Sequence, residues 1–493
     1  MKNAPSDIPE SAVATVPCDT ASQRVTGAFI LWLAGMTILA GGFRLYHLDA
    51  ASFWVDELNT IRVCAELSDT HKSKVFGYLP TAVGLWLHGA NPSELGSTAY
   101  ETWRAKGVTE WSSRIASAII GILCIPVLGL ASCRILGRRV AGLLALFLAV
   151  APWHVYWSQA SRFYSQQFLF YTLALIWYYR ATHERSRGRF VAAMIAMVLA
   201  FLSQPPALII CTVFAADWLI GAVRRKPVRL DWFGWAAAAV ALGTCAAILA
   251  LDIRNAPDDW AKFSGDLYQA PATMILGAVY MIGPAVVLVA ALTAWRMAKD
   301  GQRILRYLIL TAVVPPILYA VISTRSYVGL RYAFICFYGW LALAALGTDR
   351  LYVVLRHQCG RALAAAPIGL VLIAMLLMDY GYFTSGVGYH TRWRDAFAYV
   401  KDHRAAGDRV LCQHPMIGQY YLEDITVEKL PKGADALSTS VHPAWIVSES
   451  EDAIRGRVLS WVGEAAVLQA VFDIRVVQPY SSVRVYRYEP PSP

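Results

Sequence analysis

The sequence predicts a mainly α-helical, polytopic membrane bundle of about eleven spans, followed by a small extracytoplasmic α/β domain. Three observations predict it. The chain is 57% hydrophobic and only 16% charged, where a soluble domain carries about 25% charged residues. The deficit is confined to the residues up to 383, where long apolar runs alternate with short basic clusters, while 384–493 has the make-up of an ordinary soluble domain. The basic clusters fall in every second loop, as the positive-inside bias requires. That bias accounts for the net charge of +10. No basic stripe with interleaved aromatics, the mark of a nucleic-acid partner, occurs in the soluble part.

Taken in order, residues 1–25 form a polar cytoplasmic tail without a cleaved signal peptide, and Gly27–Phe43, preceded by Arg24, reads as an uncleaved first span. Residues 26–383 form the transmembrane domain, with spans near 26–46, 113–133, 140–156, 165–180, 190–203, 206–222, 231–252, 273–295, 305–322, 332–348 and 362–382. The first outer loop is 49–112. Within it, 75–90 is apolar but short and holds Pro80 and His88, so it reads as a helix lying at the interface. Counting it as a span would invert everything downstream and put the basic clusters outside. The inner segments carry, for example, Arg138 and Arg139, Arg187 and Arg189, Arg224 and Arg225, and Arg303 and Arg306. The short outer loops, those other than 49–112, hold only Arg162, Arg254, Lys262, Arg325 and Arg331. The expectation is a multi-pass protein of the inner (plasma) membrane, N-terminus cytoplasmic and C-terminal domain 384–493 outside. In that domain Arg409–Cys412, Trp445–Val447, Arg475–Val477 and Val483–Tyr488 read as strands, and Glu451 to about Phe472 as an amphipathic helix packed with them into an α/β layer. The nine Cys show no metal-ligand spacing; Cys64 and Cys412 are the two placed outside, where an oxidising compartment could pair them.

Four groups of residues could carry chemistry. Trp54-Val55-Asp56-Glu57 puts two adjacent carboxylates behind an aromatic just after the first span. A carboxylate partly desolvated beside a like charge titrates high and can take a proton near neutral pH. Arg162 sits among aromatics that include Tyr164, where an outer cation runs against the charge bias. Arg325 and Arg331 flank a short outer loop, and guanidinium forks suit phosphate oxygens, although surface cations near lipid headgroups look the same. Glu110 and Arg114, four apart on one helix, can form an ion pair of mainly structural value. Asp258, Asp259 and Trp260 make a further acidic-aromatic cluster without an assigned role. No glycine-rich phosphate loop, zinc-protease His pair or serine nucleophile elbow occurs.

The order Arg44, Trp54, Asp56-Glu57, a long outer loop, Glu110 and Arg114, Leu136-Gly137-Arg138-Arg139, Pro152, Ser158-Gln159, Arg162 to Tyr164, Arg331-Tyr332 and Trp393-Arg394-Asp395 resembles the bacterial GT-C-fold glycosyltransferases related to protein O-mannosyltransferases and aminoarabinose transferases. The resemblance is specific over 44–164 and looser afterwards. It implies transfer of a sugar from a polyprenyl-phosphate carrier to an extracytoplasmic acceptor. It also implies Asp56 as the catalytic aspartate with Glu57 its acidic neighbour, and Arg162, Tyr164 and Arg331 on the donor phosphate, with Arg325 beside them. Trp54, Glu110 and Arg114 are then structural neighbours of the site. The family's His-Pro-Pro-Leu is replaced by Tyr78-Leu79-Pro80-Thr81, and Ser203-Gln204-Pro205-Pro206 stands where a polar-aromatic stretch is usual. No cofactor is therefore fixed, and a divalent metal is left open. The expected partners are a polyprenyl-phosphate sugar, the bilayer and a glycan, lipid or protein acceptor, with no nucleic acid. An inverting displacement with Asp56 as general base follows from attack opposite the leaving phosphate. The alternative is a transporter, or a flippase or binding protein for the lipid-linked sugar. It would want charges near mid-membrane and repeated halves, whereas most charges here sit at outer helix ends and the two halves show no repeat of spans.

Overall fold

A computed structural model describes residues 24–67, 75–224, 230–255, 270–297, 302–326, 328–384, 391–431, 442–449, 462, 465–473 and 482–490. The fold is a polytopic helical bundle with a small C-terminal sheet, as expected from the sequence. Among the described residues seven helices are long and apolar enough to cross a membrane: Gly27–Leu45, Glu110–Leu136, Pro205–Val223, Trp232–Arg254, Arg303–Ile322, Leu330–Ala364 and Ala366–Thr384. Two bent pairs bring the number to nine: Arg138–Ala149 with Pro152–Ser158, at 58°, and Pro271–Ile282 with Pro284–Met297, at 99°. The sharper bend falls at Gly283, whose φ of 100° is open to glycine at little cost. The two remaining segments expected as spans are also helical, as Tyr164–Glu184 and Arg187–Ser203.

The helix Val75–Leu87 has 13 residues, about 20 Å at 1.5 Å per residue, well short of a hydrocarbon core of about 30 Å. Its Gly77, Thr81, Gly84 and Leu85 are buried, while Leu79, Val83, Trp86 and Leu87 are exposed on the other side. That two-faced pattern is what an interfacial helix needs.

The chain divides into two compact units that do not follow its linear order. The first comprises Met1–Phe43, Ile122–Val155 and Gln166–Leu377. It is a helical bundle whose close approaches rest on small residues: Gly339 packs on Thr311 and Ala312, and Gly347 on Thr293. One of its buried charges, Asp217, accepts from Arg303 Nη2 at 2.8 Å.

The second unit comprises Arg44–Gly121, Tyr156–Ser165 and Met378–Pro493. Here residues 49–112 and the C-terminal residues share one hydrophobic core: Phe53, Leu58, Ile61, Trp103 and Val108 pack with Trp393, Phe397, Tyr420 and Val485. The sheet has five strands, β1 (Arg409–Cys412), β2 (Val427–Lys429), β3 (Ala444–Glu449), β4 (Val467–Phe472) and β5 (Val483–Tyr488), in the order β2-β1-β3-β5-β4. β1 lies parallel to β2 and β3, and β5 antiparallel to β3 and β4. Strand alternation assigns Val410, Cys412, Trp445 and Val447 to the core shared with residues 49–112, and Leu411 and Ile446 to a smaller cluster on the other face.

The expected helix ending near Phe472 is corrected at its C-terminal end. Residues 467–472 are β4, drawn into the sheet by an antiparallel ladder with β5 that a local pattern does not reveal. The earlier part of that expected helix, 451–461, and the expected strand Arg475–Val477 lie outside the described residues. β2 and the amphipathic helix Trp393–His403 are additions to the sequence reading. Cys64 and Cys412 are free thiols, both buried, and burial pushes both up from the ordinary thiol range.

Candidate functional site

The helix Val55–Ala65 starts where Trp54 adopts an extended backbone (φ −116°) and its carbonyl accepts from the N–H groups of Glu57 and Leu58. Trp54 offers no side-chain cap. Instead Asp56 and Glu57 occupy the first turn, where the helix dipole favours negative charge. Neighbours on a helix diverge by about 100°, so the two carboxylates part company. Glu57 falls on the buried face with Leu58, Ile61 and Cys64, whereas the Asp56 side chain remains 25% exposed.

Glu57 is held by a guanidinium that is itself fully enclosed. Arg114 Nε donates to Glu57 Oε1 at 2.9 Å and Nη2 to Oε2 at 2.7 Å, both side chains being 0% exposed. The remaining N–H groups of Arg114 reach the carbonyls of Leu48 (3.1 Å), Ala51 (2.8 Å) and Ser52 (3.1 Å). This one side chain thus clamps the turn after the first span to the carboxylate, in the forked geometry only arginine offers. Ser161 N–H adds a third bond to Glu57 Oε1 at 2.7 Å, which ties the 156–165 segment to the same point.

Arg162 comes to the other carboxylate. Its Nη1 donates to the Asp56 backbone carbonyl at 2.8 Å and to Thr60 Oγ1 at 2.7 Å, and Nη2 lies 3.8 Å from Asp56 Oδ2. The guanidinium sits 4.5 Å from the Phe163 ring centre and 5.9 Å from that of Tyr164. Ser117 Oγ donates to the Arg162 carbonyl at 3.1 Å, and Ser161 Oγ meets Thr81 Oγ1 at 3.1 Å. Tyr164 is fully buried against Trp157 and Phe163. The structure therefore brings Trp54, Asp56, Glu57, Arg114, Arg162 and Tyr164 into one part of the second unit.

The expected Glu110–Arg114 pair does not form, because Arg114 is committed to Glu57. Glu110 Oε1 accepts from Arg394 Nη2 at 2.5 Å and from Tyr421 Oη at 2.8 Å. Arg394 also holds the carbonyls of Asp49 and Ala50, and Tyr421 Oη accepts the Phe53 N–H at 2.7 Å. Burial works against the Arg394 charge, but the Glu110 carboxylate and Tyr421 outweigh it and raise its pKa. Burial, then Glu110, pushes the Tyr421 phenol far up, so it stays a donor. Tyr421 escaped the sequence reading, since its role depends on contacts made across most of the chain.

Tyr382 and Asp379 were missed; each meets a buried residue that the resemblance had included, Gln159 and Arg44 respectively. Gln159 Nε2 donates to the carbonyls of Arg44 (3.2 Å) and Tyr46 (2.7 Å), and Tyr382 Oη donates to Gln159 Oε1 at 2.8 Å. Asp379 is 1% exposed, has buried Arg44 as its charge neighbour, and has no hydrogen-bond partner on either oxygen among the described residues. The signal was there: a lone acid inside the apolar run Leu376-Leu377-Met378-Asp379 marks a functional or paired position.

Arg325 and Arg331 belong to the first unit. Arg325 is exposed just past the helix Arg303–Ile322, and Arg331 lies in the 3₁₀ segment Leu330–Cys336, 5.7 Å from the Tyr332 ring centre. Asp258, Asp259 and Trp260 lie outside the described residues. Among the described residues no three of His, Cys, Asp and Glu come together to hold a metal ion.

Residues 104–250 match the dolichyl-phosphate-mannose-protein mannosyltransferase family. No curated protein sequence matches the chain. Solved structures match over nearly its whole length. ArnT from Cupriavidus metallidurans bound to undecaprenyl phosphate is 14% identical, with 94% of this chain and 98% of that one covered and a TM-score of 0.54. The oligosaccharyltransferase AglB from Archaeoglobus fulgidus, in complex with an inhibitory peptide and a dolichol-phosphate, is 13% identical over 86% of this chain and 69% of that one, at a TM-score of 0.52. The Archaeoglobus fulgidus oligosaccharyltransferase tethered with an acceptor peptide is 12% identical over 93% of this chain and 74% of that one, at a TM-score of 0.54. At these identities the likeness is one of fold, and that fold is GT-C.

Proposed function

We propose that this chain is a membrane glycosyltransferase that moves a sugar from a polyprenyl-phosphate donor to an acceptor hydroxyl on the extracytoplasmic face, with inversion. The observation that carries the reading is the asymmetry of the two adjacent carboxylates. Glu57 has its oxygens engaged by Arg114 and Ser161, whereas Asp56 is part-exposed with the Arg162 guanidinium beside it. The GT-C fold, the mannosyltransferase match over 104–250 and the undecaprenyl phosphate in the ArnT structure support the choice of donor.

In this reading Asp56 accepts the hydroxyl proton as the acceptor oxygen bonds to the anomeric carbon. The carbon–oxygen bond to phosphate breaks, and the lipid phosphate leaves with the electron pair. Arg162 anchors the Asp56 turn through the backbone carbonyl and Thr60. Its positive charge offers stabilisation to negative charge developing nearby, an effect that is strong where water is scarce. Glu57 acts by position, fixing the turn that carries Asp56, and needs no proton transfer of its own. The sugar is a hexose or pentose. The membrane is the plasma membrane, with the N-terminus inside and the C-terminal sheet outside.

The test is turnover of the purified full chain in bilayers with polyprenyl-phosphate sugar and isolated cell-envelope acceptor, read by mass spectrometry and by the anomeric configuration of the product. Asp56→Asn is expected to insert normally and lose about 10²–10⁴-fold in rate. Undiminished turnover by that variant, or a product with retained configuration, would remove the mechanism. Protease access to a C-terminal tag in intact cells and spheroplasts checks the orientation separately.

A further inference from the structure

A groove of about 310 Å³ opens in the first unit, lined by none of the residues given a role under the proposed function. It is bounded by the start of the helix Gly27–Leu45 (Phe29, Trp32), the start of Arg138–Ala149, the middle of Phe337–Ala364 (Asp349, Tyr352) and the start of Ala366–Thr384 (Ile368). Three of these helices are long and apolar enough to span, and the fourth opens a bent pair that is, so the groove lies between membrane elements.

Its chemistry is divided. Phe29, Trp32 and Ile368 supply an apolar wall. The Trp32 ring is fixed by Nε1 donating to the Gly142 carbonyl at 3.0 Å, and Gly142 is tight against it, since a Cβ there would come within 3.3 Å of Nε1. The other wall is cationic. Arg139 Nη2 pairs with Asp349 Oδ1 at 2.9 Å and lies 5.6 Å from the Tyr352 ring centre. Arg138 also lines the groove and has no carboxylate partner among the described residues. Two arginines against one aspartate leave one positive charge in excess. Volume at the low end of the ligand-pocket range, one preformed apolar wall and one available guanidinium fit a molecule with a phosphate and a hydrocarbon part.

We infer that this groove binds an anionic phospholipid, its phosphodiester on Arg138 and the upper part of an acyl chain along Trp32, Phe29 and Ile368. Basic pockets between membrane helices favour such headgroups. A small soluble anion would have no use for the apolar wall, and a zwitterionic lipid would gain little from the excess charge. The occupied leaflet is the inner one, which rests on the proposed orientation; the binding itself rests on neither orientation nor transfer activity.

The experiment is native mass spectrometry of the full chain in detergent, titrated with phosphatidylglycerol, with phosphatidylethanolamine, and with phosphatidylglycerol in competition with millimolar inorganic phosphate. Phosphatidylglycerol adducts should exceed phosphatidylethanolamine adducts and survive the phosphate. Arg138→Gln should weaken phosphatidylglycerol binding about tenfold, the scale of one charge-assisted contact. Ile368→Trp, which fills the apolar wall and leaves both arginines in place, should weaken it as well and serves as the independent readout if Arg138→Gln does not fold. Equal adducts with the two lipids, or undiminished phosphatidylglycerol binding in the folded variants, would overturn the inference. Displacement by inorganic phosphate would assign the site to a soluble anion and overturn the lipid. Because adducts are counted without turnover, an active Asp56→Asn enzyme would sink the proposed mechanism and leave this result standing.

Discussion

Replacing Arg114 should be among the most damaging single changes in the second unit, and its cost can be worked from the contacts. Arg114→Met takes both guanidinium bonds from the Glu57 carboxylate, which is 0% exposed and keeps the Ser161 N–H. Removing one partner of a buried ion pair costs about 3–5 kcal/mol. Glu57→Met strands a guanidinium that still faces the carbonyls of Leu48, Ala51 and Ser52, at a similar cost of about 3–5 kcal/mol. The double variant loses the pair and leaves those three carbonyls and one N–H short of a bond, roughly 4 kcal/mol at about 1 kcal/mol each. The singles therefore sum to about 6–10 kcal/mol against roughly 4 for the double, a coupling of about 2 kcal/mol or more. SDS-induced unfolding in mixed micelles, followed by fluorescence, measures all four corners of the cycle. Additivity to within about 0.5 kcal/mol would refute the clamp.

Other expectations follow from individual contacts. Arg162→Lys keeps the charge but cannot reach the Asp56 carbonyl and Thr60 while presenting a second nitrogen to Asp56, so kcat should fall about ten- to a hundredfold with the protein folded; single-turnover assays read it. The sequence-based assignment of Arg331 to the donor phosphate predicts a donor KM about tenfold higher in Arg331→Ala with kcat less affected, checked by steady-state kinetics. Asp408 is the pH reporter of the sheet domain. Burial works against its charge, but hydrogen bonds from Arg487, the Ala405 N–H and Trp445 outweigh it and lower its pKa. A lowered folded value means stability present above the unfolded pKa of about 3.9 and lost as pH falls through the folded value. Asp408→Asn should thus cost about 1–2 kcal/mol at pH 7, and the gap from the parent should close in melts run toward pH 3.

How much of this was readable in advance depends on the range of the interaction. Apolar runs and charge bias are local, so the bundle and a short helix over 75–87 could be seen in the sequence, and so could the adjacency of Asp56 and Glu57. Which of the two carboxylates turns inward could not. That follows from the helix starting at Val55 and from a guanidinium 57 residues away whose hydrogen bonds leave no room for Glu110. The same competition released Glu110 to Arg394 and Tyr421, residues of a region that showed no catalytic motif. Strand β4 was misread for a related reason, because an edge strand is defined by its ladder and Val467–Phe472 has no partner until β5 arrives. Arg114 and Glu110 lie one turn apart on one helix, the first bound to the Asp56 turn and the second to the C-terminal region. The C-terminal residues therefore cannot shift without pulling on the helix that fixes Glu57. The proposed acid–base residue thus owes part of its setting to Arg394 and Tyr421 of the C-terminal region, through Glu110.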